Sequence, residues 1–273
     1  MNNQSSVRDI DTNKHEVVGI IPVGGYGTRL GVLPCSKELL PIGVHRDSDG
    51  LPGPPKVVTQ YLLEKMGIAQ VKKVYFILRT GKWDIPTYFG DGSQIEMNLA
   101  YLMLNLPYGV PYTVDQAYPF VRDSLVVFGF PDILFEPCDA FSVMLAKQFS
   151  THADLVLGLF PSQNPQKQDM VRLNAEGQVA EIIIKPQETD LSYTWIIAVW
   201  TPTFTQFLHE YLARLEASYL REQLEERAEL HLGHVFQSAI DSDLYVESVC
   251  FPEGNCLDIG TPDDLIKAIR QYT

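Results

Sequence analysis

No segment of this sequence is apolar for long enough to cross a bilayer. The opening residues, Met1 to His15, are polar and hold none of the apolar stretch that a secretory leader requires. Basic residues are in short supply: 21 Lys and Arg against 34 Asp and Glu leave a net charge of −13. A surface of that sign argues against polymeric nucleic acid and anionic membranes as partners, although a few local cations suffice for a mononucleotide. Cysteine is scarce too. Cys35, Cys138, Cys250 and Cys256 form no Cys-x-x-Cys pair, which removes the common zinc motifs. With no export signal, reduced thiols and a cytoplasmic location are expected. Two phosphate-loop patterns are absent as well. Gly27 is followed by Thr28-Arg29 rather than by the Gly-Lys-Ser/Thr end of a P-loop. Leu30 stands where a dinucleotide fingerprint needs a third small residue. Internal repeats are lacking, and no linker divides residues 17–273, which read as one domain; 1–16 read as a loose N-terminal tail.

What is present begins with an apolar run, Val17–Val23, that breaks into Gly24-Gly25-Tyr26-Gly27-Thr28-Arg29-Leu30 and, a little later, Ser36-Lys37-Glu38-Leu39-Leu40-Pro41. An apolar run ending in glycines reads as a strand feeding a tight loop. Glycines let backbone N–H groups approach a phosphate with no Cβ in the way. Arg29 adds a planar fork of donors and Lys37 a mobile point charge. With 45% hydrophobic residues the chain can build a sizeable core. Short buried-looking runs at Val74–Leu78, Leu125–Gly129, Leu155–Phe160, Val179–Ile184 and Trp195–Trp200 read as further strands. Helical spacing predicts Val57–Met66, stopping at Gly67, then Phe141–Phe149, a long charged-faced stretch from Phe204 to Leu230, and a last helix from Asp263 to Tyr272 opened by Thr261-Pro262. His45–Pro55, rich in Gly, Pro and Asp, reads as an exposed loop. Strands alternating with helices predict an α/β protein with a mostly parallel sheet, and ligands at the carboxyl ends of its strands.

The string Gly-Gly-x-Gly-Thr-Arg-Leu followed by Ser-Lys-x-Leu-Leu-Pro resembles the signature of the sugar-1-phosphate nucleotidylyltransferases, and within them the glucose-1-phosphate thymidylyltransferases. The resemblance continues through Phe89-Gly90-Asp91-Gly92-Ser93, the strand leading to Asp132, Lys185-Pro186, and Leu257-Asp258-Ile259-Gly260-Thr261-Pro262, in family order and over nearly the whole chain. It implies a three-layer Rossmann-like nucleotidyltransferase fold with a mixed, mostly parallel central sheet. It also implies an enzyme that joins a nucleoside triphosphate to a sugar 1-phosphate, giving a nucleotide sugar for polysaccharide or glycoconjugate synthesis and releasing pyrophosphate; glucose 1-phosphate and dTTP are the default pair.

By the same resemblance, Gly24, Gly25, Gly27 and Thr28 cradle the nucleotide, Arg29 grips the leaving phosphates, Lys37 contacts the reacting phosphates, Lys185 holds the sugar phosphate, and Asp132 and Asp258 bind Mg2+. Each has a plainer reading: a surface ion pair for Arg29, a Pro-Asp turn for Asp132, a cap of the last helix for Asp258, a cover over a strand end for Lys185. The chemistry needs no histidine base, because a sugar phosphate is ionised at neutral pH; His231 and His234 read as surface or structural. Cys35 beside Lys37 reads as a small loop residue rather than a reactive thiol.

Departures from the family concentrate around base and sugar. Leu104-Asn105 stands in place of a Gln-Pro, Ile184 in place of a Glu, and Asp169 in place of a glycine. Such changes shift discrimination strongly, so base and sugar identity are not inherited. Two rival readings remain open: an inactive homologue that binds a nucleotide or nucleotide sugar as a regulator, and a glycosyltransferase using Asp241-Ser242-Asp243, which also reads as a polar turn. Oligomeric state is open; relatives often assemble into multimers.

Overall fold

The computed structural model describes residues 15–25, 27–46, 49–105, 108–222 and 228–272. Thirteen strands are present among them: β1 (Val17–Val23), β2 (Pro41–Arg46), β3 (Pro52–Val57), β4 (Lys73–Leu78), β5 (Asn98–Met103), β6 (Leu125–Gly129), β7 (Ile133–Glu136), β8 (Leu155–Pro161), β9 (Met170–Leu173), β10 (Val179–Ile183), β11 (Tyr193–Trp200), β12 (Val246–Cys250) and β13 (Asn255–Asp258). The helices are α1 (Val58–Ile68), α2 (Asp84–Phe89), α3 (Val110–Asp115), α4 (Tyr118–Val121), α5 (Ala140–Thr151), α6 (Pro202–Glu222), α7 (Leu232–Asp241) and α8 (Pro262–Tyr272).

Nine strands form one mixed sheet. Strands β6, β1, β4 and β5 lie parallel in that order, with Ile20 of β1 opposite Phe128 of β6 and Tyr75 of β4. Strand β11 runs antiparallel to β6 and carries β8 along its other edge, with β12 parallel to β8 outside it. Strands β9 and β10 continue from the first residues of β11. Strands buried on both faces carry unbroken apolar runs, and β1 and β6 are of this kind.

Each face of the sheet has its own core. On one, Leu62 and Met66 of α1 and Phe141 and Met144 of α5 pack on Ile21, Phe76 and Val127. On the other, Phe204 and Leu208 of α6 and Val235 and Phe236 of α7 cover Ile20, Phe128 and Trp200. Helices on both faces of a sheet make the three-layer α/β architecture that the resemblance implies. A smaller third cluster, with Leu30, Ile42, Leu134, Ile259 and Ala268, ties the glycine loop, the β2–β3 hairpin and α8 together.

Three expectations are corrected. His45–Pro55 is not a plain loop: β2 and β3 pair as an antiparallel ribbon, with Val44 opposite Pro55 and Arg46 opposite Pro52. Prolines fit there because a two-stranded ribbon leaves one side of each strand without ladder bonds. Helix α1 runs through Gly67 to Ile68, and the chain turns instead at Gln70, which takes a φ of +61°. The helix from Phe204 does not reach Leu230: α6 is described as Pro202–Glu222, residues 228 and 229 are not helical, and Leu230 forms a bridge with Gly109. Glu225, Glu226 and Arg227 lie outside the described residues, as do Tyr26 and residues 1–14. His15 and Glu16 are already tied to the body: the His15 ring nitrogen lies 2.9 Å from the Asp123 carbonyl, and Lys73 Nζ lies 2.8 Å from Glu16.

Candidate active site

Because β1, β5 and β6 run parallel, their carboxyl ends open on one edge of the sheet. The segments that follow them, Gly24-Gly25, Leu104 and Phe130-Pro131-Asp132, wall a cavity of about 500 Å³. Ligands gather at this edge in α/β sheets because the strand order reverses there and loops from neighbouring strands part. Gly27, Thr28, Arg29 and Lys37 complete one wall, and Thr113 and Glu229 stand on another.

The loop after β1 folds as two short turns, Thr28–Leu30 and Lys37–Leu39. Gly27, at φ +66°, sits in the left-handed region that favours glycine, and its α-carbon face lies against the Lys37 stem. The Lys37 turn is held from three sides. Ser36 donates its backbone N–H and its hydroxyl to the Asp84 carboxylate, at 2.6 and 2.7 Å. Glu38 is buried and takes both carboxylate contacts of Lys82, at 2.6 and 2.7 Å. Thr59 donates to the Glu38 carbonyl at 2.9 Å. Burial lowers the Lys82 pKa, only partly offset by Glu38. Glu38, Lys82 and Asp84 were not singled out by the sequence. Glu38 lay inside the motif string; Lys82 and Asp84, over forty residues on, carried no local signal.

Asp132 and Asp258 meet through the ribbon that β7 makes with β13. Asp258 pairs with Ile133, and Ile259 N–H donates to the Asp132 carbonyl at 2.9 Å. Lys37 Nζ donates to Asp132 Oδ2. Burial works against the charge on Lys37, but Asp132, Glu38 and Asp258 outweigh it and raise its pKa. Asp258 is pushed up to about 6, first by burial and then by Asp132, with Lys37 and Arg29 pulling the other way. Arg29 lies against Gly260: a Cβ there would stand 2.8 Å from its Nη2. Two neighbouring carboxylates, close to two cationic side chains, form an oxygen donor set suited to a hard divalent ion such as Mg2+. Among the described residues no third His, Cys, Asp or Glu joins them as a ligand, so such an ion would complete its shell with water and substrate oxygens. Asp258 does not cap α8; Thr261 does, accepting from Asp264 N–H at 3.4 Å and donating to the Asp264 carboxylate at 2.6 Å.

Of the residues singled out in the sequence, the structure brings Gly24, Gly25, Gly27, Thr28, Arg29, Lys37, Asp132 and Leu104 to one cavity, with Asp258 beside Asp132. Lys185 is not in its wall. It is exposed, at φ +42°, with Nζ 3.5 Å from His231 Nε2. Ile184 and Asp169 meet at Gly233, the second residue of α7. Asp241, the last residue of α7, and Ser242 and Asp243 after it are exposed, and none lines the cavity. Burial raises the Cys35 thiol pKa, which makes it a poor nucleophile.

The chain resembles known proteins in sequence and in fold. The family model described as nucleotidyl transferase matches residues 18–273. The low-salt glycan biosynthesis nucleotidyltransferase Agl11 of Haloferax volcanii is 26% identical over 256 residues, which is 92% of this chain but 64% of that protein. The chain thus spans less than two thirds of this relative. Among solved structures, one from Bacillus anthracis described as a glucose-1-phosphate thymidylyltransferase, in complex with a sucrose, superposes with a TM-score of 0.74 at 19% identity, covering 93% of this chain and 94% of that one. A UTP-bound UGPase from Acinetobacter baumannii gives 0.73 at 14% identity, covering 94% and 93%. A UDP-glucose pyrophosphorylase complexed with UDP-glucose gives 0.72 at 16%, covering 94% and 98%. At these identities the structures establish the fold.

Proposed function

The chain belongs to the nucleotidyl transferase family, and from that premise we propose that it transfers a nucleotidyl group from a nucleoside triphosphate to a sugar 1-phosphate, making a nucleotide sugar for glycan assembly and releasing pyrophosphate. Glucose 1-phosphate with dTTP is the first pair to try. The observation that carries the reading is the meeting of the glycine loop, Arg29, Lys37 and the two aspartates at one strand edge.

Coupling two polyanions is opposed mainly by their mutual repulsion and by the entropy of in-line alignment. Gly24 and Gly25 leave the backbone after β1 open to the triphosphate. Arg29, exposed at the cavity wall, faces the outgoing β,γ-phosphates with its planar fork. Lys37 reaches across from the loop to Asp132, so a triphosphate seated on the loop competes with Asp132 for its ammonium. As Lys37 turns to the phosphates, the Asp132 carboxylate is freed. Asp132 and Asp258 would then hold Mg2+. When bound, that ion neutralises charge at the α-phosphate. The sugar phosphate attacks as an anion, so no side chain needs to take its proton, and no histidine among the described residues lines the cavity.

The test mixes the protein and Mg2+ with each of the common nucleoside triphosphates and a panel of sugar 1-phosphates and follows pyrophosphate release. Release with at least one pair, abolished in Asp132→Asn, supports transfer. Tight nucleotide binding with no turnover on any pair would favour the regulatory reading, which Leu104 in the cavity wall motivates.

A further inference from the structure

The cavity wall that faces Gly24 is carried by a helix too short to hold itself. Helix α3 has six residues, Val110–Asp115, whereas an isolated helix needs about 12 or more to form in water. Helical geometry puts residues three apart on one face and divides α3 in two. Val110 and Thr113 line the cavity. Tyr112 and Asp115, on the opposite face, are tied to α6. Tyr112 Oη donates to Glu216 Oε1 at 2.8 Å. Both oxygens of Asp115 lie within reach of His209 Nδ1, at 3.0 and 3.2 Å. A carboxylate only accepts, so Nδ1 carries the hydrogen. His209 and Glu216 stand two turns apart on one side of α6. The His209 ring is itself stacked on Tyr118 of α4, with centroids 3.8 Å apart and planes 7° from parallel, and the Tyr118 hydroxyl donates to Gln206 of α6 at 2.6 Å.

Helix α6 is the fixed partner in these contacts, since its Phe204, Leu208 and Leu212 are buried against Ile20 and Phe128 of the central sheet. At the start of α3, Gly109 takes a φ of +119° and lies on the Leu230 backbone, where a Cβ would come within 2.1 Å of the carbonyl oxygen. Thr113 stands between that anchor and Asp115. Its Oγ1 is 3.3 Å from where a Cβ on Gly24 would be, with Leu104 beside it at 3.2 Å. The position of α3 therefore sets how much room the first glycine of the loop leaves for a ligand. We infer that Asp115 and His209 are positioning residues for the nucleotide: their bond holds α3 so that Val110 and Thr113 close the wall over Gly24. This rests on the transfer reading, which seats the triphosphate on the glycine loop, and adds to it a pair that does not itself line the cavity. A wall that meets the nucleotide alike before and during the reaction acts on KM and leaves kcat alone.

His209→Phe keeps a ring against Tyr118 and removes the donor, whereas His209→Asn puts an amide N–H about where the Nδ1 hydrogen stood. Steady-state pyrophosphate release, with the nucleoside triphosphate and sugar 1-phosphate that react best, gives kcat and a KM for each substrate. His209→Phe is expected to raise the triphosphate KM about fivefold or more, with kcat and the sugar-phosphate KM within about twofold of wild type, and His209→Asn to restore it. Should His209→Phe fail to fold, Tyr112→Phe, which removes only the hydroxyl bonded to Glu216, carries the same expectation. A lower melting temperature with all three constants unchanged makes the pair a plain structural contact and overturns the inference, as does a fall in kcat alone. Equilibrium binding of each common nucleoside triphosphate, in the presence of Mg2+, separates the inference from the reading beneath it. Binding weakened in His209→Phe and recovered in His209→Asn, with no pyrophosphate released on any pair, sinks transfer and leaves the positioning role standing. Release whose triphosphate KM ignores the substitutions leaves transfer standing and sinks the positioning role. A wild type that binds no nucleoside triphosphate sinks both.

Discussion

Lys37 donates to Asp132 across the cavity, so the loop after β1 and the segment after β6 are joined by one ion pair. Both side chains are mostly shielded from solvent, at 14% and 15% exposure. Each therefore needs a counter-charge, and each can exchange the other for a ligand: Lys37 for a phosphate, Asp132 for a divalent cation. Replacing Lys37 by Met keeps the length and removes the charge. Loss of one preorganised electrostatic group at a reacting phosphate typically costs about 10²–10³ in kcat. Steady-state pyrophosphate release should fall by that factor. Unchanged kcat would remove Lys37 from the chemistry.

Asp258 sets a conflict between stability and activity. Its pKa rises from 3.8 to about 6 in the fold, from burial first and Asp132 second. Between those values the folded chain holds a proton that the unfolded chain has released. Metal-free protein thus loses stability as pH climbs through that window and stays less stable above it. With divalent ions chelated, Asp258→Asn should melt higher than wild type at neutral pH, by about 2 °C or more, and the gap should close below pH 4. Added Mg2+ should raise the wild-type melting temperature and leave that of the variant alone. Thermal scans across pH, with and without Mg2+, check both.

Gly260→Ala separates position from folding. The new methyl would fall on the Arg29 guanidinium, 2.8 Å from Nη2. That group is the far end of an exposed side chain and can swing away at little cost. Stability should stay within about 0.5 kcal/mol of wild type, while KM for the nucleoside triphosphate rises roughly tenfold, a change worth about 1.4 kcal/mol of binding. Denaturant titration and initial rates give the two numbers.

The Glu38–Lys82 pair is a scaffold for Lys37. Lys82→Met leaves the Glu38 carboxylate buried, its side chain 2% exposed, without its hydrogen-bonded cation. Breaking a buried pair in this way costs about 3–5 kcal/mol. Urea unfolding should show it, and Glu38→Gln combined with Lys82→Met should recover more than half.

The glycine loop, Arg29, Lys37 and the aspartates were legible because each sits in a short string tied to one strand end, where local chain geometry and chemistry coincide. Strands β1 and β6 were legible down to their end residues for a related reason: both faces are buried, so their apolar runs are unbroken. The β2–β3 ribbon was not. Its prolines carry turn signals, and only the pairing partner turns them into an edge. The sheet order was also hidden, since nothing local marks β11 as antiparallel to β6.

By itself, then, the sequence determined the elements that local periodicity dictates, and it marked the loop after β1 with the glycines and cations on which the proposed phosphate site rests. Tertiary structure alone decided which side chains share a space. It placed Asp258 next to Asp132 through the β7–β13 register, propped Lys37 on Glu38, Lys82 and Asp84, and set Lys185 apart beside His231. The physical reason is range. Backbone propensity and glycine conformation act over a few residues, whereas burial, ion pairing and proton affinity depend on whichever distant segments the packed sheet brings together.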